Sequence, residues 1–339
     1  MSDPQPATID MVAQRAGVSI STVSRVLNRS VPVAEPTAAR VLAAVAELGY
    51  VPQMAAKSLA RGRTRALGLL LPDINNDFFW PLLRSITVSA GRAGYTVVVS
   101  VRDSPDAPPQ VGRHNADGLI IFNTSASPAE LRSIRATGIP MVLLYQNGGP
   151  DLSIPLITIE NKRGAHLVVS HLIEAHGHRR IAMLTGPQGS EDSYWREQGY
   201  HAALAEHRIA ADPALVGPGL FDEAASCATV AAWLEAGLDF TAVFACDDDS
   251  ARGALRALAQ AGRRVPEDVA VVGFDDSPLS PYTQPPLTTV HAPTEQVGQR
   301  AVAQIIHGIE HGQMLPLTLL PTELILRRSC GCGAAGGMQ

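Results

Sequence analysis

The chain has 339 residues, 46% hydrophobic and 17% charged, with a formal net charge of −5. That length exceeds what one core supports and calls for two or three domains, and the composition excludes a disordered protein. The charge is unevenly spread: residues 1–65 hold eight basic and four acidic side chains, while the remainder is acidic. A basic N-terminal segment is the electrostatic footprint that nucleic acid requires. No run approaches the ~18 apolar residues of a membrane span, and the N-terminus MSDPQPAT lacks the basic and apolar regions of a signal peptide. A cytoplasmic protein with no membrane contact is therefore expected.

Taken in chain order, Thr8 is the expected N-cap of a helix over Ile9–Ala16, whose Ile9, Val12, Ala13 and Ala16 share one face. Gly17 interrupts, and Ser19 caps a second helix running to Asn28, with Val23, Val26 and Leu27 pointing inward. Two short amphipathic helices across a glycine-containing turn are the helix-turn-helix pattern. A third helix over Glu35–Leu48 is expected to complete a small core with Val41, Leu42, Val45 and Leu48, and Gly49 stops it. After Pro52, residues 53–60 read as one more short helix, too short to be stable alone in water, so it needs DNA or a partner to order it.

From Arg65 the texture changes to short apolar runs alternating with helical segments. Strands are expected at Ala66–Leu71, Tyr95–Val101, Gly118–Phe122, Pro140–Tyr145, Leu156–Ile159, Arg180–Leu184, Ala242–Cys246 and Val269–Phe274. Helices are expected at Phe78–Arg92, Pro128–Thr137, Asn161–Ala175, Tyr194–Glu206, Glu223–Glu235, Ser250–Gln260 and Glu295–His311. Continuous apolar strands alternating with helices indicate parallel sheets covered on both faces, and there are enough strands for two.

Several polar groupings invite a chemical reading. Cys227 and Cys246 lie in apolar segments, and Cys330 and Cys332 lie in a Gly-rich tail. A lone C-x-C lacks the second ligand pair of a zinc site, so no metal is expected. Asp247–Asp249 start a helix and project in different directions, and His166, His171, His176 and His178 do not form a well-spaced ligand set. With no phosphate loop and no G-x-S-x-G elbow, neither an enzyme nor a cofactor is expected. Asp247 reads as a helix cap and Asp275–Asp276 as a strand-end turn, yet strand ends are also where open parallel sheets bind ligands.

The segment from Thr8 to Asn28, TIDMVAQRAGVSISTVSRVLN, resembles the headpiece signature of the lac/gal repressor (LacI/GalR) family. Further matches run at LGYVP (48–52), ADGLII (116–121), HLIEAHGHRRI (171–181), VVGFDD (271–276), PLTTV (286–290) and PTELILRRSC (321–330). The resemblance implies an all-α helix-turn-helix headpiece over 1–52, a hinge segment over 53–64, and an α/β two-lobed periplasmic-binding-protein-like sensor over 65–328. It divides the sensor into a first lobe of 65–160 with 290–317 and a second of 161–289 with 318–328, and leaves 329–339 as a flexible tail. Two departures stand out. The family's helix before Gly118 is replaced by the Pro-rich stretch Asp103–Pro109, so the covering helix is expected to be reduced or absent. Ala34 stands where the family tends to place a capping Ser, at a cost of about 1 kcal/mol.

What the resemblance implies for function is a transcriptional repressor that binds a near-palindromic operator as a homodimer and responds to a small molecule. It places DNA contacts at Thr8, Ser19, Ile20, Ser21, Thr22, Arg25 and Asn28 in the headpiece, and at Ala56 and Leu59 in the hinge, where Leu59 is a minor-groove wedge. Arg25 suits a guanine edge, Ser21 is an adaptable hydrogen-bonder, and Ile20 suits a thymine methyl. Effector contacts fall on Phe79, Tyr145, Arg196, Phe221, Asp247 and Asp275, with Trp195 either beside them or facing the core. Acidic and guanidinium groups beside aromatic faces suit a sugar or sugar derivative, with purines and other small metabolites as alternatives. Asp247, where the family often has Asn, favours a ligand that offers donors. A solute-binding protein would share the sensor fold, but it would need export and no basic headpiece.

Overall fold

The protein is described here from a computed structural model covering residues 7–28, 31–50, 63–72, 74, 77–102, 110–122, 125–149 and 151–333. The chain divides into two compact units, Met1–Thr64 and Arg65–Gln339. The hinge residues Ala56 and Leu59 lie outside the described residues, as does the side chain of Asn28.

The first unit contains helices α1 (Ile9–Ala16), α2 (Ile20–Asn28) and α3 (Glu35–Leu48). Thr8 Oγ1 accepts the Met11 N–H at 3.3 Å and Ser19 Oγ accepts the Thr22 N–H at 3.2 Å, so each side chain satisfies a backbone donor that the helix start leaves open. Val12, Ala13, Ala16, Val23, Val41 and Ala44 form the core. Leu42, expected to point inward, is instead 55% exposed. The buried stripe of α3 runs through 41, 44, 45 and 48, and a residue one step past Val41 is turned about 100° away from it. Ala34 makes no side-chain bond to the start of α3, where Pro36 occupies the first turn.

The second unit holds two parallel sheets. The first runs in the order β11-β5-β4-β3-β1-β2, built from β1 (Ala66–Leu71), β2 (Thr96–Val101), β3 (Gly118–Phe122), β4 (Met141–Leu144), β5 (Leu156–Ile159) and β11 (Leu317–Leu320). It carries α4 (Phe79–Arg92), α5 (Pro128–Ala136) and α10 (Thr294–His311). The second runs β7-β6-β8-β9, from β6 (Ile181–Thr185), β7 (Val216–Pro218), β8 (Ala242–Ala245) and β9 (Ala270–Val272). Its helices are α6 (Asn161–His176), α7 (Glu191–Glu206), α8 (Glu223–Glu235) and α9 (Asp248–Gln260). Central strands such as β1, β4 and β8 are buried along their whole length, which is why they read as unbroken apolar runs.

A short antiparallel pair, β10 (Thr289–His291) with β12 (Glu323–Ile325), lies among the crossings between the lobes. The chain passes three times, after β5, between β10 and α10, and between β11 and β12. Because β11 pairs with β5 from Leu317 to Leu320, the third crossing follows Leu320, and residues 318–320 belong to the first lobe instead of the second.

Of two further expectations, the absent covering helix agrees with the described residues and the flexible tail does not. The residues from Gln110 to Asp117 hold no helix, and Val111 and Ala116 fill the sheet face in its place; residues 103–109 lie outside the description. A Cβ on Gly68 would sit 2.2 Å from Val111 Cγ1, so the substituting strap lies on β1 only because that position is glycine. The start of the expected flexible tail is also not a tail. Ser329 and Cys330 are buried, with Ser329 Oγ donating to Val271 O at 2.6 Å and accepting from Thr288 N at 2.8 Å.

Candidate functional site

The two lobes of the second unit enclose a cleft of about 490 Å³, within the roughly 300–1,000 Å³ typical of small-ligand sites. Its walls are the C-terminal ends of the parallel strands and the helix starts that follow them, where open α/β sheets take ligands. All six side chains expected there, Phe79, Tyr145, Arg196, Phe221, Asp247 and Asp275, line it. Trp195 does not; it is 41% exposed and its Nε1 donates to Glu191 at 3.4 Å.

The first-lobe wall is aromatic. Phe79 and Phe122 meet edge to face with centroids 5.2 Å apart, Phe78 packs against Tyr145 at 5.3 Å, and Phe122 against Tyr145 at 5.4 Å. Such pairs fix one another's orientation through their quadrupoles. Tyr145 is buried and its hydroxyl has no hydrogen-bond partner among the described residues. Burial, with Asp192 and Asp275 nearby, holds that hydroxyl's pKa well above the usual phenol value.

The second-lobe wall is polar and centred on Arg196. The guanidinium lies over the Phe274 ring at 3.8 Å, Nε donates to Asn161 Oδ1 at 2.9 Å, and Nη1 donates to the Cys246 carbonyl. Its Nη2 lies 3.2 Å from Asp275 Oδ1 as an ion pair, though that oxygen has no aligned hydrogen bond among the described residues. Asn161 in turn donates to Asp192 Oδ1 at 2.7 Å. Arg196 is thus largely committed to the protein, and its main effect is to hold Asp275 and, through Asn161, Asp192. Asp192 escaped the sequence reading, although an acidic residue four positions before Arg196 on one helix face was a usable signal.

Burial dominates the charges here. It raises Asp247 to about 7 despite its bonds with Ser250, and Asp192 to about 6 despite Arg196 and Asn161. It pushes Asp275 well above the usual carboxylate range, with Arg196 opposing. Asp247 caps α9 by accepting the Ser250 N–H at 3.0 Å. Burial thus favours the protonated carboxyl, a form that donates as well as accepts. The neighbouring carboxylates diverge: Asp248 turns inward to Thr289 Oγ1 at 2.6 Å and Ser277 N at 2.7 Å, and Asp249 pairs with Arg252 at 2.7 Å.

Backbone strain gathers at the same place. Tyr145 (φ 67°), Leu220 (φ 60°), Phe221 (φ 56°) and Asp275 (φ 109°) all adopt left-handed conformations and all line the cleft. Non-glycine residues hold such conformations only where the surroundings over-determine them, which is common at ligand sites. Asp276 (φ 56°) follows directly. It accepts from Arg327 Nη2 at 2.5 Å and bonds His291 Nδ1 at 3.1 Å, so the residue after the cleft carboxylate is tied to the β10 and β12 crossings. The two lobes also meet at the cleft rim, where Asn147 donates through its backbone N at 2.8 Å and its side chain at 2.9 Å to Glu191, and Arg252 lies 3.8 Å from Asp77.

In the first unit, Thr8, Ser19, Ile20, Ser21 and Arg25 are exposed and Thr22 is half-buried. Ile20 is 46% exposed although apolar, and it shares the start of α2 with Ser21. Ser19 Oγ bonds Ser21 Oγ at 2.8 Å and Thr22 Oγ1 at 2.9 Å, which holds these hydroxyls at the helix start. No described helix is long and apolar enough to cross a membrane.

Comparison with known proteins agrees with both units. Residues 8–53 match the model for bacterial regulatory proteins of the lacI family, and residues 169–330 match a periplasmic binding protein-like domain. The transcriptional regulator CelR of Thermobifida fusca is 35% identical over 95% of this chain and 98% of its own length. A CelR–cellobiose complex superposes with a TM-score of 0.71 at 32% identity, covering 95% of this chain and 99% of that one. The lac repressor dimer bound to operator and the anti-inducer ONPF superposes at 0.84 with 29% identity, covering 96% and 99%. A helix-turn-helix unit, a two-lobed sheet unit with a ligand-sized cleft and full-length likeness to such regulators all agree: this chain belongs to the lacI family of bacterial regulatory proteins and is a DNA-binding transcriptional regulator, not an enzyme.

Proposed function

We propose that the chain is a cytoplasmic repressor that binds a near-palindromic operator as a homodimer, and that a sugar or sugar derivative held in the cleft controls operator affinity. The observation that carries this reading is the cleft's two-sidedness: a cluster of rings on the first lobe, and on the second, beside Phe221, an Arg196–Asp275 pair whose Oδ1 lacks an aligned hydrogen bond among the described residues. A sugar ring has that same duality, with an apolar face for aromatic contact and a rim of hydroxyls for directional bonds. The CelR relative seen with cellobiose and the lac repressor dimer seen on operator support it.

In this reading the headpiece obtains affinity from phosphates and specificity from Ile20, Ser21 and Arg25 at base edges. Thr8 and Ser19 stand at the starts of α1 and α2, Thr22 lies in the first turn of α2 and Asn28 ends it, and Ala56 and Leu59 act in the minor groove. In the sensor, a ligand shifts the lobe equilibrium only through differential affinity for its two arrangements. Asp275 touches the cleft and Asp276 holds the crossing strands, so a bond to the first is felt at the second.

The test is binding of the full-length protein to the DNA upstream of its own gene, repeated across a panel of sugars beginning with cellobiose and including purine nucleosides. A sugar that changes operator affinity at a stoichiometry of one per chain supports the reading; response to a nucleoside alone overturns the ligand class. Arg25→Ala is expected to cost about 1–3 kcal/mol on the operator and little on random DNA. Equal losses on both would make Arg25 a phosphate contact.

A further inference from the structure

Four side chains set aside by the sequence reading meet on the second lobe. His171 and His176 lie in the last turns of α6, and Cys330 and Cys332 follow the buried Ser329. Their ligand atoms, one from each residue, all lie within 4.8 Å of one another. His171 Nε2 is 3.6 Å from Cys330 Sγ and 3.5 Å from Cys332 Sγ, and His176 Nε2 is 3.5 Å from Cys332 Sγ.

These spacings have a specific meaning. Tetrahedral zinc with Zn–S of about 2.3 Å and Zn–N of about 2.0–2.1 Å sets its ligands about 3.4–3.8 Å apart, with nitrogen to sulfur near 3.5 Å. The three separations above fall on that value. A plain pair of thiol–imidazole hydrogen bonds would require only two partners, whereas here four donors of the right chemistry face one point. We propose that His171, His176, Cys330 and Cys332 form a tetrahedral Cys₂His₂ zinc site that clips the end of the chain to α6. Independent of the cleft and its ligand, this site is structural, because four protein ligands leave no open position for a substrate.

The surroundings are built to present these ligands. Ser329 is locked to both Val271 and Thr288, with Val271 N donating to its carbonyl at 2.9 Å. Thr288 Oγ1 donates to Cys330 Sγ at 3.1 Å, an outer bond of the kind that orients a metal ligand. Gly331 turns the chain with φ 102°, and a Cβ there would meet the His176 ring at 3.2 Å. Only glycine both adopts that turn and leaves room for the imidazole. Cys330 is 1% exposed while the other three ligands are half-buried, so a metal ion has an approach and a dry back wall. The site and the cleft also share a helix: Asn161, which holds Arg196, begins α6 and His176 ends it, about 22 Å apart at 1.5 Å per residue.

The experiment is metal analysis of full-length protein produced without a histidine tag, followed by exchange of zinc for cobalt. Wild type is expected to carry one zinc per chain, and the cobalt form to show the intense visible bands of a tetrahedral ion with thiolate charge transfer. Cys332→Ser and His176→Gln alter half-buried positions that folding tolerates; each is expected to lose these bands and at least tenfold in zinc affinity, with the far-ultraviolet dichroism unchanged. Chelation should lower the melting temperature of wild type and leave that of Cys332→Ser unmoved. Less than a tenth of an equivalent of zinc after reconstitution, an octahedral cobalt spectrum, or a Cys330–Cys332 disulfide in protein purified under reducing conditions would each overturn the proposal.

Discussion

The two walls of the cleft solve one problem by different physics. The first lobe presents Phe78, Phe79, Phe122 and Tyr145 in mutual edge contacts, a surface whose attraction is broad and nearly independent of pH. The second lobe presents Arg196 and Asp247, both buried, with Asp192 and Asp275 half-buried beside them, a surface whose attraction is directional and whose maintenance is costly. The comparison teaches that shape tolerance is weighted to the first lobe and discrimination to the second, where, among the described residues, Phe221 is the one ring that also lines the cleft. An effector gains area from one side and identity from the other, and only a closed cleft delivers both.

The largest test of that contrast is Asp275→Ala. It removes one partner of the buried Arg196, which keeps Asn161 and the Cys246 carbonyl, and it also removes a carboxyl that burial penalises, so the melting temperature should move little while the effector response vanishes. Operator affinity without ligand should stay within about tenfold, or roughly 1.4 kcal/mol. Calorimetry with the effector, melting curves and a DNA titration check the three parts; normal effector affinity would remove Asp275 from the site.

Asp247→Asn comes next and separates charge from shape, since Asn caps a helix as well as Asp does. With its pKa raised to about 7, the native carboxyl binds a proton more tightly than the unfolded one, so its penalty opens above about pH 4 and is complete above about pH 7. The substitution should raise the melting temperature by several degrees at pH 8, by less at pH 5, and not at all below pH 4. A shift equal at all three pH values would show that Asp247 is not protonated on folding.

The aromatic wall should respond more gently. Phe79→Leu keeps an apolar contact and loses the ring, which costs about 0.5–1.5 kcal/mol of effector affinity with no change in its pH dependence. A loss as large as that of Asp275→Ala would break the proposed division of labour. The smallest effect is expected at the rim: Asn147→Ala removes the side-chain bonds to Glu191 and should weaken effector binding by a few-fold through a more open resting cleft, since exposed polar contacts contribute about 1 kcal/mol or less. Small-angle scattering with and without effector reads the opening directly.

Much of this architecture is legible from sequence because it is encoded locally. The caps Thr8 and Ser19, the apolar stripes of α1 and α2 and the eight strands that sit in longer apolar runs of sequence depend on residues within a turn or two of one another, and periodicity exposes them. The short strands β7, β10, β11 and β12, of three or four residues each, are held by their partners and carry no period of their own. Leu42 was misplaced because a stripe two residues wide tolerates a one-residue error in phase that only packing resolves. For the cleft, resemblance supplied six lining positions, but not the commitment of Arg196 to Asn161, Cys246 and Asp275, nor the part of Asp192.

The sequence by itself determined the class of molecule: a basic helix-turn-helix unit ahead of two parallel sheets, with acidic and aromatic side chains at strand ends. Tertiary structure alone decided which distant groups share a point in space. Cys330 is 159 residues from His171, and in the linear chain a C-x-C near the end and histidines about a helix stop look unrelated. Their meeting depends on the β9–β10 connection gripping Ser329 against Val271 and Thr288. No local propensity reports such a long-range closure, because its entropy is offset by the packing of the whole lobe and not by the residues that finally touch.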